Sequence, residues 1–140
     1  MRVAEIMSRG VEFADARASV QQAAELMGEI DVAALPVGDA SHLDGVVTDR
    51  DILFRVVARG LDPAATSVRA VASRPVVSCR EEDTLQAAMD LMAANHIRRL
   101  PVTGQGGAVV GWVTMADLAR RLLVEDAGVQ AALRALTEEG

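Results

Sequence analysis

The chain has 140 residues, of which 51% are hydrophobic and only 2% aromatic, so its core must be built from aliphatic side chains. A formal net charge of −6 argues against nucleic acid as a partner, because general nucleic-acid binders carry a basic surface. No apolar run approaches the roughly 18 residues of a membrane span, and the single cysteine fits a reducing compartment, so we expect a cytoplasmic protein that contacts no membrane.

The first half of the chain predicts the element order β-α-β-β-α. A short strand is expected at residues 11–14, and a helix follows, with Ser19 as its N-cap and Gln22 completing a capping box. Apolar residues from Ala23 to Ile30 recur at i, i+3, i+4 and i+7, which predicts a single apolar stripe on this helix. The remaining elements are expected at residues 33–37 (strand), about 45–48 (strand) and 49–59 (helix).

The second half repeats this order at an offset of 65 residues, which places Val68 on Val3 and residues 100–102 on residues 35–37, both Leu-Pro-Val. After one inserted residue the offset becomes 66, and four more pairs match: Gly45 with Gly111, Val47 with Val113, Thr48 with Thr114 and Asp51 with Asp117. The second set of elements is expected at residues 76–79 (strand), after Thr84 (helix), at 98–102 and 109–114 (strands) and at 115–124 (helix).

The repeat also predicts the domain organisation. A single unit of about 60 residues buries too little surface to be stable on its own. We therefore expect repeat 1 (residues 3–59) and repeat 2 (68–124), joined by a linker (60–67), to pack about a pseudo-two-fold axis as one α+β domain. Residues 125–140 predict a C-terminal helical tail, which either folds back on the domain or a dimer partner, or docks on a different protein.

Two sequence motifs resemble those of CBS (cystathionine-β-synthase-type) modules. They are residues 34–37 (Ala-Leu-Pro-Val) with 45–51 (Gly-Val-Val-Thr-Asp-Arg-Asp), and residues 99–102 (Arg-Leu-Pro-Val) with 111–117 (Gly-Trp-Val-Thr-Met-Ala-Asp). The chain is similar in particular to the short, stand-alone bacterial proteins that consist of a CBS pair. The resemblance implies a homodimer and an adenosine-containing ligand (AMP, ADP, ATP, NAD or S-adenosylmethionine) bound in clefts between the repeats. It also implies a regulatory role exerted on a separate, unidentified protein.

The resemblance assigns ribose binding to Thr48 with Asp51 and to Thr114 with Asp117. The chemistry is suitable, because an ionised carboxylate has two acceptor oxygens for the two donors of a cis-diol. The same Thr-x-x-Asp spacing is also a capping box, which stabilises a helix start by about 1 kcal/mol. The spacing alone does not separate these two interpretations.

The resemblance further implies two clefts, each combining strand-start residues of one repeat with the Thr-x-x-Asp motif of the other. The first adenine pocket would consist of Gly10, Val32, Ala33 and Val113, beside Thr114 and Asp117. The second would consist of Val47, Pro75, Val77 and Ile97, beside Thr48 and Asp51.

Three basic residues near the second cleft are candidate phosphate ligands: Arg50, Arg98 and Arg99. A guanidinium is suited to this role because it presents a fork of donors. We predict that the second cleft is the better phosphate site; in the alternative, these arginines pair with surface acids such as Asp49.

The remaining polar residues do not indicate catalysis. The sequence has no glycine-rich phosphate loop and no zinc pattern. His42 and His96 are interpreted as solvated or capping residues, and Cys79 as a buried thiol. We expect no enzyme, no metal and no required cofactor, with a bound adenine nucleotide as the ligand. The rival hypothesis is an interaction protein that uses the CBS-pair dimer as a scaffold and retains Thr and Asp only as caps.

Overall fold

The computed structural model describes residues 1–123 and 127–138, which form two compact units. The repeat-1 unit comprises Gly10–Val76 and Gln105–Val109. The repeat-2 unit comprises Met1–Arg9, Val77–Gly104 and the described residues from Val110 onward. The units therefore do not follow the sequence repeats at their edges, because the first nine residues pack with the elements of repeat 2.

The repeat-1 unit is built on a two-stranded antiparallel sheet. Strand β1 is Ala34–Gly38 and strand β2 is Leu43–Thr48, with Leu35 opposite Val47. The helices of this unit are α1 (Val20–Ile30), α2 (Asp49–Ile52), which continues as a π-helical turn (Leu53–Val57), and α3 (Val68–Val71).

The repeat-2 unit contains a three-stranded sheet in the order β3-β4-β5. Its strands are β3 (Cys79–Arg80), β4 (Arg99–Thr103) and β5 (Val109–Thr114), and β3 runs parallel to β4. Its helices are α4 (Leu85–Asn95), α5 (Met115–Leu122), α6 (Ala127–Glu138) and a short 3₁₀ turn (Val3–Glu5). A second 3₁₀ turn, Gln105–Gly107, precedes β5 and belongs to the repeat-1 unit.

The helix starts confirm the predicted caps. The Gln22 N–H donates to the Ser19 hydroxyl at 3.1 Å, and the Ser19 N–H donates to the Gln22 side-chain oxygen at 2.9 Å. In repeat 2 the Ala87 N–H donates to the Thr84 hydroxyl at 3.1 Å. These bonds satisfy donors that the first turn of a helix leaves unpaired.

Three predicted elements differ in extent from those observed. The first strand of repeat 2, expected at residues 76–79, is the two-residue strand β3 (Cys79–Arg80). The first strand of repeat 1 is reduced to one parallel bridge between Ala14 and Val37. The helix expected at 49–59 changes at Leu53 to a π turn, in which the Ala58 N–H donates to the Leu53 carbonyl. The predicted ends at residues 124–126 and 139–140 lie outside the described residues.

Each unit has its own aliphatic core. The core of the repeat-1 unit includes Val20, Met27, Leu35, Val47 and Val56. The core of the repeat-2 unit includes Val3, Met92, Leu100, Val113 and Leu118. Both cores enclose the strand that precedes a Thr-x-x-Asp motif, and this packing holds each motif at the end of a buried strand.

Candidate functional site

The first Thr-x-x-Asp motif forms a reciprocal capping box at the junction of β2 and α2. The Asp51 N–H donates to the Thr48 hydroxyl at 3.0 Å, and the Thr48 N–H donates to Asp51 Oδ2 at 2.9 Å. The capping interpretation is therefore correct for this motif. It leaves open whether Asp51 also binds a ligand, because the box occupies only one of its two carboxylate oxygens.

The other oxygen of Asp51 contacts two side chains that the sequence analysis did not single out. The Ser73 hydroxyl donates to Asp51 Oδ1 at 3.0 Å, and Arg55 Nε lies 3.8 Å from the same oxygen. The Arg55 guanidinium also donates to the Val71 carbonyl at 2.8 Å. The Asp51 side chain is only 10% exposed. The i,i+4 spacing of Asp51 and Arg55 was a sequence signal for their pairing, whereas no local signal pointed to Ser73.

The second Thr-x-x-Asp motif forms the same box at the junction of β5 and α5. The Asp117 N–H donates to the Thr114 hydroxyl at 3.2 Å, and the Thr114 N–H donates to Asp117 Oδ2 at 3.1 Å. Its Oδ1 lies 3.9 Å from an Arg120 nitrogen, and its side chain is 28% exposed. The two carboxylates thus share one geometry but differ in enclosure.

Arg50, a predicted phosphate ligand, lies against an aromatic ring. Its guanidinium carbon is 5.1 Å from the centroid of Phe54, a cation–π distance. Its backbone N–H, rather than its guanidinium, donates to Asp49 Oδ1 at 2.8 Å. Phe54 itself is 54% exposed, so this arginine lies on an open surface.

The other two predicted phosphate ligands lie at the start of β4, where Arg98 is exposed and Arg99 is half-buried. The Arg98 carbonyl accepts a hydrogen bond from the Met115 N–H at 2.7 Å, which brings this strand start beside the first residue of α5. In the repeat-1 unit the Ala33 carbonyl accepts from the Asp49 N–H at 2.9 Å in the same way. Among residues 1–123 and 127–138, no ion pair involves Arg98 or Arg99.

The predicted adenine-pocket residues differ in accessibility. Val47 and Val113 are fully buried in the two cores, with 0% of the whole residue exposed. Val77 and Ile97 are half-buried against the core of the repeat-2 unit, and Ala33 is also half-buried. The exposed members of the set are Gly10, Val32 and Pro75.

The two histidines and the cysteine occupy the solvated, helix-ending and buried positions that the sequence analysis predicts for them. His42 lies in the loop between β1 and β2, with its Nε2 3.1 Å from Asp44 Oδ1 and its side chain 77% exposed. His96 ends α4 in a left-handed conformation and is exposed. Burial, together with the nearby Asp83 carboxylate, raises the pKa of Cys79 to about 11, so the thiol is neutral at physiological pH.

An apolar groove of about 570 Å³ lies between α1 and the α2–π segment of the repeat-1 unit. We call it the α1–α2 groove; its lining includes Ala24, Met27, Val32, Ile52, Leu53 and Val57. Leu53 is 53% exposed and Val57 is 63% exposed. Ile30, the last residue of the predicted stripe on α1, is also exposed, at 38%. The groove is therefore an apolar surface that its own unit does not cover.

Membrane-spanning helices and metal-binding clusters are both absent from the described part of the chain. No helix within residues 1–123 and 127–138 is long and apolar enough to span a membrane. The same residues contain no group of three or more His, Cys, Asp or Glu side chains arranged to hold a metal ion.

The repeated units and their paired Thr-x-x-Asp motifs define a class of protein built from tandem modules. A family model described as "CBS domain" matches residues 3–58 and again residues 68–124. The chain belongs to the CBS domain family. This match confirms the resemblance that was inferred from the motifs. It also confirms the expected fold class, the mixed α+β fold of a CBS pair.

Several relatives match over most of their length. The CBS domain-containing protein YhcV of Bacillus subtilis is 39% identical over 117 residues, covering 84% of this chain and 82% of YhcV. Hypoxic response protein 1 of Mycobacterium tuberculosis is 35% identical over 119 residues, with the same coverages of 84% and 82%. A crystal structure of Hypoxic Response Protein I with two coordinated zinc ions superposes with a TM-score of 0.78 at 34% identity, covering 86% of this chain and 98% of that one.

Proposed function

We propose that this protein is a regulatory sensor rather than an enzyme. It binds an adenosine-containing ligand through its Thr-x-x-Asp motifs and acts on a separate partner protein in the cytoplasm. One observation carries the proposal: in a CBS-family chain, both motifs hold an aspartate in the first turn of the helix that follows a core strand, with one carboxylate oxygen in the cap and the other outside it. A ribose cis-diol supplies the two donors that such a carboxylate can accept.

The ligand proposal is tested by thermal unfolding of the full chain with AMP, ATP, NAD and S-adenosylmethionine, each at millimolar concentration. A ligand that binds only the folded state at 100 times its Kd stabilises that state by about 2.7 kcal/mol. We expect at least one adenosine compound to raise the unfolding midpoint. Guanosine and cytidine nucleotides at the same concentration are the controls and should raise it less. An unchanged midpoint with every adenosine compound would contradict the proposal.

Phosphate recognition is proposed for Arg98 and Arg99, with Arg50 as a further candidate. Arg98 is exposed and has no ion-pair partner among residues 1–123 and 127–138, which leaves its fork of donors for an anion. We expect Arg98→Ala to weaken AMP binding several-fold while adenosine binding changes little. Arg80→Ala is the matched control, since Arg80 is also an exposed arginine of the repeat-2 unit. If Arg98→Ala kept the wild-type affinity for AMP, Arg98 would not be a phosphate ligand.

We also propose that the protein is a homodimer and that the α1–α2 groove is covered by a second copy. The groove exposes Leu53 and Val57, and burial of apolar surface of this kind drives association. Leu122 is a further exposed apolar side chain, at 48%, in the repeat-2 unit.

The second candidate function is a scaffold that binds no ligand. It is favoured by the complete capping boxes at Thr48 and Thr114, which account for the Thr and Asp residues without any ligand. This function predicts no thermal shift with adenosine compounds, and unchanged self-association when both aspartates are replaced by asparagine.

A further inference from the structure

Ser73 and Arg55 both contact Asp51, and neither belongs to the Thr-x-x-Asp motif. We propose that they are positioning residues, which hold the Asp51 carboxylate ready to accept both hydroxyls of a ribose cis-diol. The inference rests on the proposed function, and it adds two residues that set the preference of this site for ribose over deoxyribose.

The hydrogen bonds that Asp51 already accepts leave part of each carboxylate oxygen free to accept further hydrogen bonds. An ionised carboxylate has about four lone-pair sites, two on each oxygen. The Thr48 N–H occupies one site on Oδ2, and the Ser73 hydroxyl occupies one site on Oδ1. One site then remains on each oxygen, and a cis-diol brings two donors.

Arg55 offsets the cost of enclosing this charge. A carboxylate that is 90% buried is costly unless a cation or hydrogen bonds compensate it, and Arg55 Nε lies 3.8 Å from Asp51 Oδ1. Arg55 is itself held, because its guanidinium donates to the Val71 and Ala72 carbonyls at 2.8 and 3.4 Å. Hydrogen bonds to a carboxylate in such an enclosed place are stronger than in water.

The equivalent groups of the repeat-2 unit are arranged differently. Ser8, the repeat counterpart of Ser73, is exposed, and no hydrogen bond joins it to Asp117 in the described part of the chain. Arg121, the counterpart of Arg55, places its Nε 3.1 Å from the Met1 sulfur. Among the described residues, no hydrogen bond therefore orients the Oδ1 of Asp117 as Ser73 orients that of Asp51, although both repeats carry the same residue types at these positions.

The test compares binding of AMP with that of 2′-deoxy-AMP, measured by calorimetry on the full chain. In the wild type we expect tighter binding of AMP. Ser73→Ala is expected to reduce the ratio of the two affinities by about threefold to tenfold, because only part of the energy of the lost hydrogen bond distinguishes the two nucleotides. Ser73→Thr keeps a hydroxyl and should restore the ratio, while Arg55→Met should reduce it.

Ser8→Ala is the matched control and should leave the ratio unchanged. The inference is overturned if Ser73→Ala, shown by thermal unfolding to be folded, keeps the wild-type ratio or weakens both nucleotides equally. It is also overturned if Ser8→Ala has the same effect as Ser73→Ala. If the wild type binds neither nucleotide, the same comparison is made with the adenosine compound that raises the unfolding midpoint and its 2′-deoxy form. If no adenosine compound binds, the proposed function fails and the inference falls with it, a result distinct from binding with an unchanged ratio.

Discussion

Asp51 and Asp117 occupy equivalent positions in the two repeats, yet the fold encloses them to different degrees. The Asp51 side chain is 10% exposed and has Ser73 and Arg55 as neighbours, whereas that of Asp117 is 28% exposed and has Arg120 at 3.9 Å. An enclosed carboxylate depends on its partners, because water cannot replace a bond that is lost. The same substitution should therefore have unequal effects at the two sites.

We expect Asp51→Asn to lower the free energy of unfolding by about 1.5–3 kcal/mol, the range for hydrogen bonds to charged groups. Asp117→Asn should lower it by less than about 1 kcal/mol, because its ion pair is exposed and exposed pairs contribute little. Urea unfolding without ligand measures both values. Equal losses at the two positions would show that the difference in enclosure has no energetic consequence.

Cys79 gives a second prediction at the scale of the residue. Its thiol is 2% exposed, and burial raises its pKa to about 11. The thiolate is the reactive form, so at pH 8 only about one thiol in a thousand is reactive in the folded state. We expect slow alkylation by iodoacetamide at pH 8, accelerating as pH rises toward 11 because deprotonation proceeds over that range. The urea-unfolded chain is the control, and equal rates in both states would contradict the prediction.

Among the elements, the contact between β2 and the segment that follows α3 depends on one glycine. Gly45 lies opposite Val37 in the sheet, and the adjacent Val46 bridges Ser73. A Cβ at Gly45 would lie 2.9 Å from the Ser73 carbonyl oxygen and 3.0 Å from the Ala72 side chain. The absence of a side chain thus allows the approach that brings the Ser73 hydroxyl to Asp51.

Gly45→Ala is expected to destabilise the protein by about 1–3 kcal/mol, the usual cost of overpacking. Because the backbone of Ser73 must shift, we also expect the ratio of the affinity for AMP to that for 2′-deoxy-AMP to fall. Gly28→Ala is the matched control. Gly28 lies within α1, and a Cβ added there would meet no atom of the chain within 4 Å. Alanine at this position should therefore stabilise the helix by about 0.5–1 kcal/mol. Chemical denaturation measures both, and a neutral Gly45→Ala would contradict the close-packing argument.

For the whole molecule, the main prediction concerns self-association through the α1–α2 groove. Val57 lines the groove and is 63% exposed. We expect the wild type to sediment as a dimer and Val57→Asp to shift it toward monomer, because a charge buried without a partner opposes association. Gln21→Asp, on an exposed position of α1 outside the groove lining, should leave the dimer intact. If the Val57→Asp variant formed a dimer of unchanged stability, the dimer interface would not include the α1–α2 groove.

The fold was largely predictable because its signals are local. Ser19 with Gln22, and Thr84 in the second repeat, were identified as helix caps from spacing alone, and the structure confirms them. The π turn after α2 was not predicted, since its apolar residues, Leu53 to Val57, also satisfy the pattern of an ordinary helix. The first strand was predicted too long, because pairing of Ala14 with Val37 is decided by a partner strand and not by its own sequence.

The candidate site was predictable only in part. The Thr and Asp residues were found through the repeat and the family resemblance, and their assignment to a ligand remains a prediction. Arg50 was expected near a phosphate, but the spacing could not show that its guanidinium lies 5.1 Å from the Phe54 ring. Likewise the carbonyl of Arg98 meets the start of α5, a contact between strand and helix that no local pattern specifies.

By itself, the sequence determined the tandem repeat, the types of its elements, the helix starts and the family, because these depend on periodicity and on contacts within a few residues. Only the tertiary structure decided which side chains surround each aspartate. Ser73 reaches Asp51 across 22 residues of chain, and Ser8, at the equivalent repeat position, does not bond Asp117 among the described residues. Identical residue types thus acquire different surroundings, because long-range packing, and not local spacing, sets the enclosure of each carboxylate.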